Sequence, residues 1–477
     1  MRAFSLLNVL PAAPTPSSPP MSFRPILAIA AFAGVLGVVA AAGPAPRPAQ
    51  AAAGLGSSAA PAAPAYVPGE VIVRYDEGVE RADRAEAQRR AGTRFAERVP
   101  GGSRRLVIRD GESVGETVDE LRRDPRVRYV QPNHVVRAAF TPNDRGRGLQ
   151  WNFFGEHGVG APGAWDAAIA ARAPGGRGAV VAVVDSGVAY QTRGPFRRAP
   201  DLASQGYVRG YDFVDRDRFP NDENGHGTHV AGTIAGRTNN RVGVTGLAYG
   251  ARIMPLRVLD SRGIGDSVSI ARALRYAASR RVDVVNISVE LEVPATAAQV
   301  PEIISATRAA SRRGLVIVSS SGNSGESHVN FPAAAPGVIS VGATTIRGCR
   351  AGYSNEGPGL DIVAPGGGGD ASHRDNPRDD AMCRPGATGP SIVQQTFPRE
   401  GAVRSFSFPR DYVGTSFAAP HVSAAAAMVI ATRRVGRNPS PAEVERRLKE
   451  TARDLGPDGY DQRYGFGGLD AAAALAR

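Results

Sequence analysis

The chain has 477 residues, 42% of them hydrophobic and 21% charged, a globular balance with room for two or three domains. Its formal net charge is +12, but 56 of the 57 basic residues are arginine and no basic run is interleaved with aromatics, which argues against a nucleic-acid surface. Two cysteines exclude a cysteine-rich zinc site.

From Ile26 to Ala42 the chain reads "ILAIAAFAGVLGVVAAA", uncharged, after Arg24 and before a small-residue cleavage pattern framed by Ala49 and Ala51. This predicts a secretory signal within residues 1–51, with Met21 as the better initiator. Seventeen apolar residues fall short of the about 20 that span a bilayer, so a retained anchor is disfavoured. Residues 52–65 are an Ala/Pro-rich linker. In an exported chain Cys349 and Cys383 are expected to pair, closing a loop of about 35 residues.

Residues 66–138 read as a βαββαβ-like module. "GEVIVRY", "RRLVIR" and "VRYVQPN" alternate as strands. "ERADRAEAQRRAG" and "SVGETVDELRRDP" are helices, the second opening on a Ser113/Glu116 capping box. The module holds no catalytic set of its own. The polar, turn-rich stretch 140–150 suits a proteolytic cut.

In residues 139–477 continuous apolar runs such as "AVVAVVD", "VDVVNISV" and "LVIVSSSGN" alternate with Ala-rich helical stretches. That pattern predicts an α/β domain with a parallel sheet covered on both faces. Sites in such folds form at the carboxyl ends of the strands, which here carry Asp185, Ser288 and Asn323. "NGHGTHVAG" places His226 and His229 three residues apart, as two metal ligands or as one base and one packed neighbour. No cysteine or His-Glu pattern supplies a third ligand, and His226, between Gly225 and Gly227, has room for a substrate beside it. Ser416 lies in "YVGTSFAAPHVSAAAAMV", where a helix N-terminus offers N–H groups to a developing oxyanion and Pro420 is read into the first turn. Asp185, His226 and Ser416 thus make an orienter, base and nucleophile set.

"VVDSGV", "HGTHVAGTIAG" and "GTSFAAPHV", with "SSSGN", "YSNEGPGLDIVAPG" and "YGFGGLDAAAAL", together resemble the subtilisin-like serine proteases, the subtilases. Residues 67–138 resemble the subtilase inhibitor prodomain. The resemblance implies a three-layer α/β peptidase domain with a mainly parallel sheet, preceded by a small α+β, ferredoxin-like prodomain. It implies a secreted serine endopeptidase, a hydrolase acting on proteins or peptides, made as a zymogen that cuts itself within 137–148. It makes Asp185 the orienter, His226 the base, Ser416 the nucleophile and Asn323 an oxyanion donor beside the Ser416 N–H. No cofactor is implied for catalysis, no nucleic acid as partner, and the expected state is a monomer inhibited by its own prodomain. A silent binding protein and an esterase are the competing functions; the intact triad and the peptide-binding stretches weigh against them.

By the same resemblance Ser288-Val289-Glu290 and Ser320-Ser321-Gly322 would pair with the substrate backbone. Glu290 stands where glycine is expected, either facing the substrate, as a narrower cleft or a partner for a basic side chain, or pointing to solvent. Two calcium sites are candidates: Asp212, Asp215 and Asp217 in "YDFVDRDRFPNDENG", and Asp144, Asp201 and Asn240. The long stretch 366–413 carries Cys383 and a hairpin-like alternation, and either rims the cleft or decorates the surface.

Overall fold

The computed structural model describes residues 66–109, 111–135, 139–202, 206–291, 294–371 and 377–476. The signal, the Met21 start and the linker lie outside the described residues. The N-terminal module consists of β1 (Tyr66–Tyr75), α1 (Arg81–Arg90), β2 (Thr93–Val99), β3 (Ser103–Ile108), α2 (Val114–Arg122) and β4 (Val127–His134). Its four antiparallel strands run in the order β2-β3-β1-β4. Inward residues Val71, Val73, Leu106 and Val130 meet Ala87, Val118 and Leu121 of the helices in one small core. The capping box forms as expected, with Glu116 N–H donating to Ser113 Oγ at 3.2 Å and Ser113 N–H to Glu116 Oε2 at 3.0 Å. Strand β2 was not legible: "TRFAERV" alternates weakly, and Phe95 on it is 43% exposed.

The larger domain opens with α3 (Trp151–Phe154) and α4 (Ala161–Ala170), then β5 (Val180–Asp185), β6 (Tyr211–Asp212), α5 (His226–Ala235) and β7 (Arg252–Arg257). There follow α6 (Ser267–Ala278), β8 (Val284–Ile287), α7 (Pro301–Arg312), β9 (Val316–Ser320), β10 (Val338–Thr344) and β11 (Ile362–Pro365). Then come α8 (Pro377–Met382), α9 (Thr415–Thr432), α10 (Pro441–Glu450) and α11 (Ala471–Leu475). The seven strands are parallel, in the order β11-β10-β9-β8-β5-β7-β6. Strand β5 explains the unbroken apolar runs. Its Val181 and Val183 enter a core with α4, α5, α9 and α11, while Val180, Ala182 and Val184 enter a second core with α6 and α7. A strand covered on both faces needs apolar residues at every position.

The strand order reverses around β5, which has β7 on one side and β8 on the other. A crevice outside the carboxyl ends of the strands is expected at such a switch point. Asp185 ends β5 and Ser288 follows β8 there.

Candidate active site

Asp185 is fully buried at the end of β5, and its Oδ1 lies 2.7 Å from His226 Nδ1. His226 is the first residue of α5, with a side chain 22% exposed. Burial disfavours its charged ring, but the charge and hydrogen bond of Asp185, with Asp222 behind, outweigh that and hold His226 above the ordinary histidine value. The flanking glycines serve close packing rather than substrate room. A Cβ on Gly227 would lie 2.1 Å from Gly187 O and 3.1 Å from the Asp185 side chain, and Gly225 has φ +114°. His229 stacks on Tyr412 at 4.6 Å and lies 3.0 Å from Ile392 O through Nε2; burial pushes its pKa down to about 3. It is a neutral packing residue, so the pair resolves into one partly exposed histidine on Asp185 and one buried neighbour.

Asp222 is a residue that the sequence reading missed. Its Oδ1 accepts from the Asn224 and Gly225 N–H groups and from Ser186 Oγ, each at 2.9 Å. Its Oδ2 accepts from the Thr228 N–H at 2.9 Å and from Thr228 Oγ1 at 2.6 Å. One buried carboxylate thus joins the end of β5 to the first turn of α5. The signal was an acidic residue three positions before the glycine that caps a helix.

Ser416 is the second residue of α9. Phe417, its neighbour, packs with its ring 5.1 Å from the His226 ring. Ser416 Oγ donates to Ser288 O at 3.2 Å, and Ser288 Oγ donates to Ser416 O at 2.8 Å. The second bond corrects the reading of Pro420. That residue is the sixth of α9, inside the helix rather than in its first turn. Proline has no N–H for the carbonyl four residues back. The carbonyl it leaves free is that of Ser416, and the Ser288 hydroxyl takes it.

Asn323 follows β9, and its Oδ1 accepts from the Thr415 N–H at 2.8 Å and from Thr415 Oγ1 at 3.0 Å. Its Nδ2 donates to Glu290 Oε1 at 3.0 Å. Glu290 is therefore turned onto Asn323 rather than into solvent or towards a basic substrate group. Of the two backbone stretches, Ser320-Ser321-Gly322 is already engaged. The Ser321 N–H donates to Val341 O, Ser321 O accepts from Asn330 N–H, and Gly322 O accepts from Asn355 N–H. The fold thus already uses the backbone of Ser321 and Gly322. Residues 260–265, unremarked in the sequence, lie beside the start of α5 through Asn224 Nδ2 and Ser261 O at 3.1 Å, with Ile264 58% exposed.

The acidic loop is bridged by an arginine. Arg257, 3% exposed at the end of β7, donates to Asp212 at 2.8 Å, to Asp215 at 2.7 Å and to Glu223 at 2.7 Å. Asp217 pairs with Asp212 through the backbone, but its carboxylate turns to the Phe219 N–H at 2.7 Å. A guanidinium from a distant strand already supplies the cation, so Asp212, Asp215 and Asp217 do not form a ligand set. Asp144, Asp201 and Asn240 do come together. Asn240 N–H donates to Asp144 at 3.0 Å and Asn240 Nδ2 to Asp201 at 3.1 Å. Burial, with Asp144 adding repulsion, lifts the Asp201 pKa to about 6. Among the described residues no cluster of three or more His, Cys, Asp or Glu side chains forms a metal site.

Cys349 and Cys383 are bonded, with Cα atoms 5.7 Å apart. The stretch 366–413 is structural rather than decorative. Residues 391–397 are buried, His229 lies against Ile392 O, and Thr396 Oγ1 donates to Gly225 O beside His226. Its hairpin-like alternation leaves one antiparallel bridge, Thr396 to Ser407.

The subtilase family profile matches residues 176–467, and the fervidolysin N-terminal prodomain profile matches residues 53–133. The chain is 34% identical over 405 residues to a thermophilic serine proteinase of Bacillus sp. (strain AK1), covering 84% of this chain and 86% of that one. It is 30% identical over 392 residues to an extracellular protease of Xanthomonas campestris pv. campestris, covering 75% of this chain and 60% of that one. Among solved structures, a protease from Pseudoalteromonas arctica PAMC 21717 superposes with a TM-score of 0.56 at 30% identity, over 70% of this chain and 99% of that one. The chain belongs to the subtilase family, as a subtilisin-like serine protease carrying an N-terminal prodomain.

Proposed function

We propose that this protease is a secreted endopeptidase working through Asp185, His226 and Ser416, and that it is made as a self-processing zymogen. The observation that carries the reading is the 2.7 Å contact of His226 Nδ1 with buried Asp185, beside the helix start that bears Ser416. Asp185 fixes the tautomer that leaves His226 Nε2 free to accept a proton. Ser416 Oγ rotates from Ser288 O towards that nitrogen, loses its proton to it and bonds to the substrate carbonyl carbon. Apo contacts of this kind commonly tighten only with substrate bound. The Ser416 N–H and Asn323 Nδ2 hold the oxyanion; one such donor contributes about 3 kcal/mol of transition-state stabilisation. As the C–N bond breaks, His226 returns the proton to the leaving amine. Water, deprotonated by His226, then attacks the acyl carbon, and His226 passes the proton to Ser416 Oγ as the acyl group leaves as a carboxylic acid.

Residues 66–138 act as the intramolecular inhibitor, and export follows from the apolar stretch 26–42. Removing residues 1–141, which hold 18 arginines and 13 acids, lowers the net charge from +12 to +7. Calcium, where bound, stabilises rather than reacts, with Asp144, Asp201 and Asn240 as the residues that would hold it. Expression of wild type and Ser416→Ala tests the reading. Only wild type is expected to lose its prodomain and hydrolyse casein; two full-length, inert proteins would contradict it.

A further inference from the structure

The proposed reaction does not use the carboxylate of Glu290. It is half-buried, and its two oxygens take three donors. Asn323 Nδ2 donates to Oε1 at 3.0 Å, Asn323 N–H to Oε2 at 3.2 Å, and Asn330 Nδ2 to Oε2 at 2.9 Å. A Cβ on Gly322 would lie 2.8 Å from Glu290 Oε2, so the carboxylate also lies close over the backbone that precedes Asn323. None of these partners is Ser416, whose N–H is the other oxyanion donor. Glu290 therefore does not sit as a substitute anion between the two donors.

We propose that Glu290 is a positioning residue that sets the direction of the oxyanion donor. A primary amide carries two N–H donors and one acceptor oxygen in a plane. Asn323 Oδ1 is held by Thr415, the residue before the nucleophile, and one Nδ2 hydrogen is held by Glu290. With both ends fixed, the amide cannot flip, and its second N–H keeps one direction. A carboxylate suits this task because all three of its partners are donors. Glutamine offers one acceptor oxygen and would set an NH2 group against another donor.

This inference rests on Asn323 being the oxyanion donor, and the test separates the two. kcat and KM for a peptide p-nitroanilide are measured per active site, counted with a serine-directed phosphonate. The proteins are wild type, Glu290→Ala, Glu290→Gln, Asn323→Ala and the Glu290→Ala/Asn323→Ala double variant. Where turnover is too slow to follow, the first-order rate of prodomain loss from the full chain replaces kcat. Glu290→Ala is expected to lower kcat about 10- to 100-fold with KM changed less than threefold, and Glu290→Gln to fall between it and wild type. In the Asn323→Ala background Glu290→Ala is expected to cost less than threefold more, because residues acting as one unit are not additive. Full additivity, or a Glu290→Ala enzyme with wild-type kcat, overturns the inference while leaving Asn323 in its role. An Asn323→Ala enzyme with wild-type kcat overturns the oxyanion reading itself. Should Glu290→Ala fail to fold, Glu290→Gln in the two backgrounds gives the same comparison.

Discussion

His226 and His229 share a helix and a spacing, but their surroundings give them opposite chemistry. His226 is held above the ordinary value by Asp185, whereas His229, stacked on Tyr412, is neutral throughout the working range. His226→Ala is expected to abolish self-processing, and His229→Ala to lower the melting temperature while processing continues; the reverse pattern would reassign the base. The sign of the pH dependence follows. The base works only when neutral, so kcat/KM rises as pH climbs through a His226 pKa above about 6.5. Asp185→Asn removes the charge that raises it, and the rising limb of a pH–rate profile then moves to lower pH. Asp185, His226 and Ser416 were open to proposal from the sequence because each sits in a short local pattern. Asp222, Arg257 and Glu290 were not, because their roles depend on partners brought together only by the fold. Arg257, at the end of β7, is 42 positions from Asp215, and nothing in either segment announces the pairing.

At the scale of elements, α9 and the stretch 366–413 decide how firmly the site is held. Pro420 leaves a carbonyl unpaired inside α9, and Ser288 just after β8 takes it, so the helix that bears Ser416 is tied to the sheet. A sequence shows the proline but not the partner. The long stretch read ambiguously because its support of α5 comes from buried polar contacts, such as Thr396 to Gly225 O, rather than from a periodic apolar face. Its disulfide spans 34 positions, for which chain-entropy loss in the unfolded state contributes about 3–4 kcal/mol. Replacing both Cys349 and Cys383 by serine is expected to lower the thermal midpoint by on the order of 5–10 °C. An unchanged midpoint in calorimetry would show that the pinned stretch is stable without it.

Over the whole molecule, the parallel sheet and its two cores were legible from the unbroken apolar runs. The antiparallel module was legible from alternation, apart from β2, whose face is half exposed. The arginine among Asp212, Asp215 and Glu223 was not, since acidic spacing alone does not reveal it. Asp201 carries the remaining calcium proposal. A carboxyl whose pKa is lifted from about 3.9 to about 6 binds its proton more tightly when folded, so stability falls as pH rises through that window, and the loss is complete above it. A cation there offsets the loss. At pH 7.5, calcium is therefore expected to raise the melting temperature over that in chelator for wild type, with the response largely lost in Asp201→Asn. Equal midpoints with and without calcium would end the proposal. The central claim is that Ser416, activated by His226, forms the acyl-enzyme. The direct measurement is peptide mapping by mass spectrometry after treatment with a fluorophosphonate. A single adduct on the Ser416 peptide, absent in His226→Ala, is expected; an adduct on another residue, or equal labelling without His226, would contradict this role for Ser416.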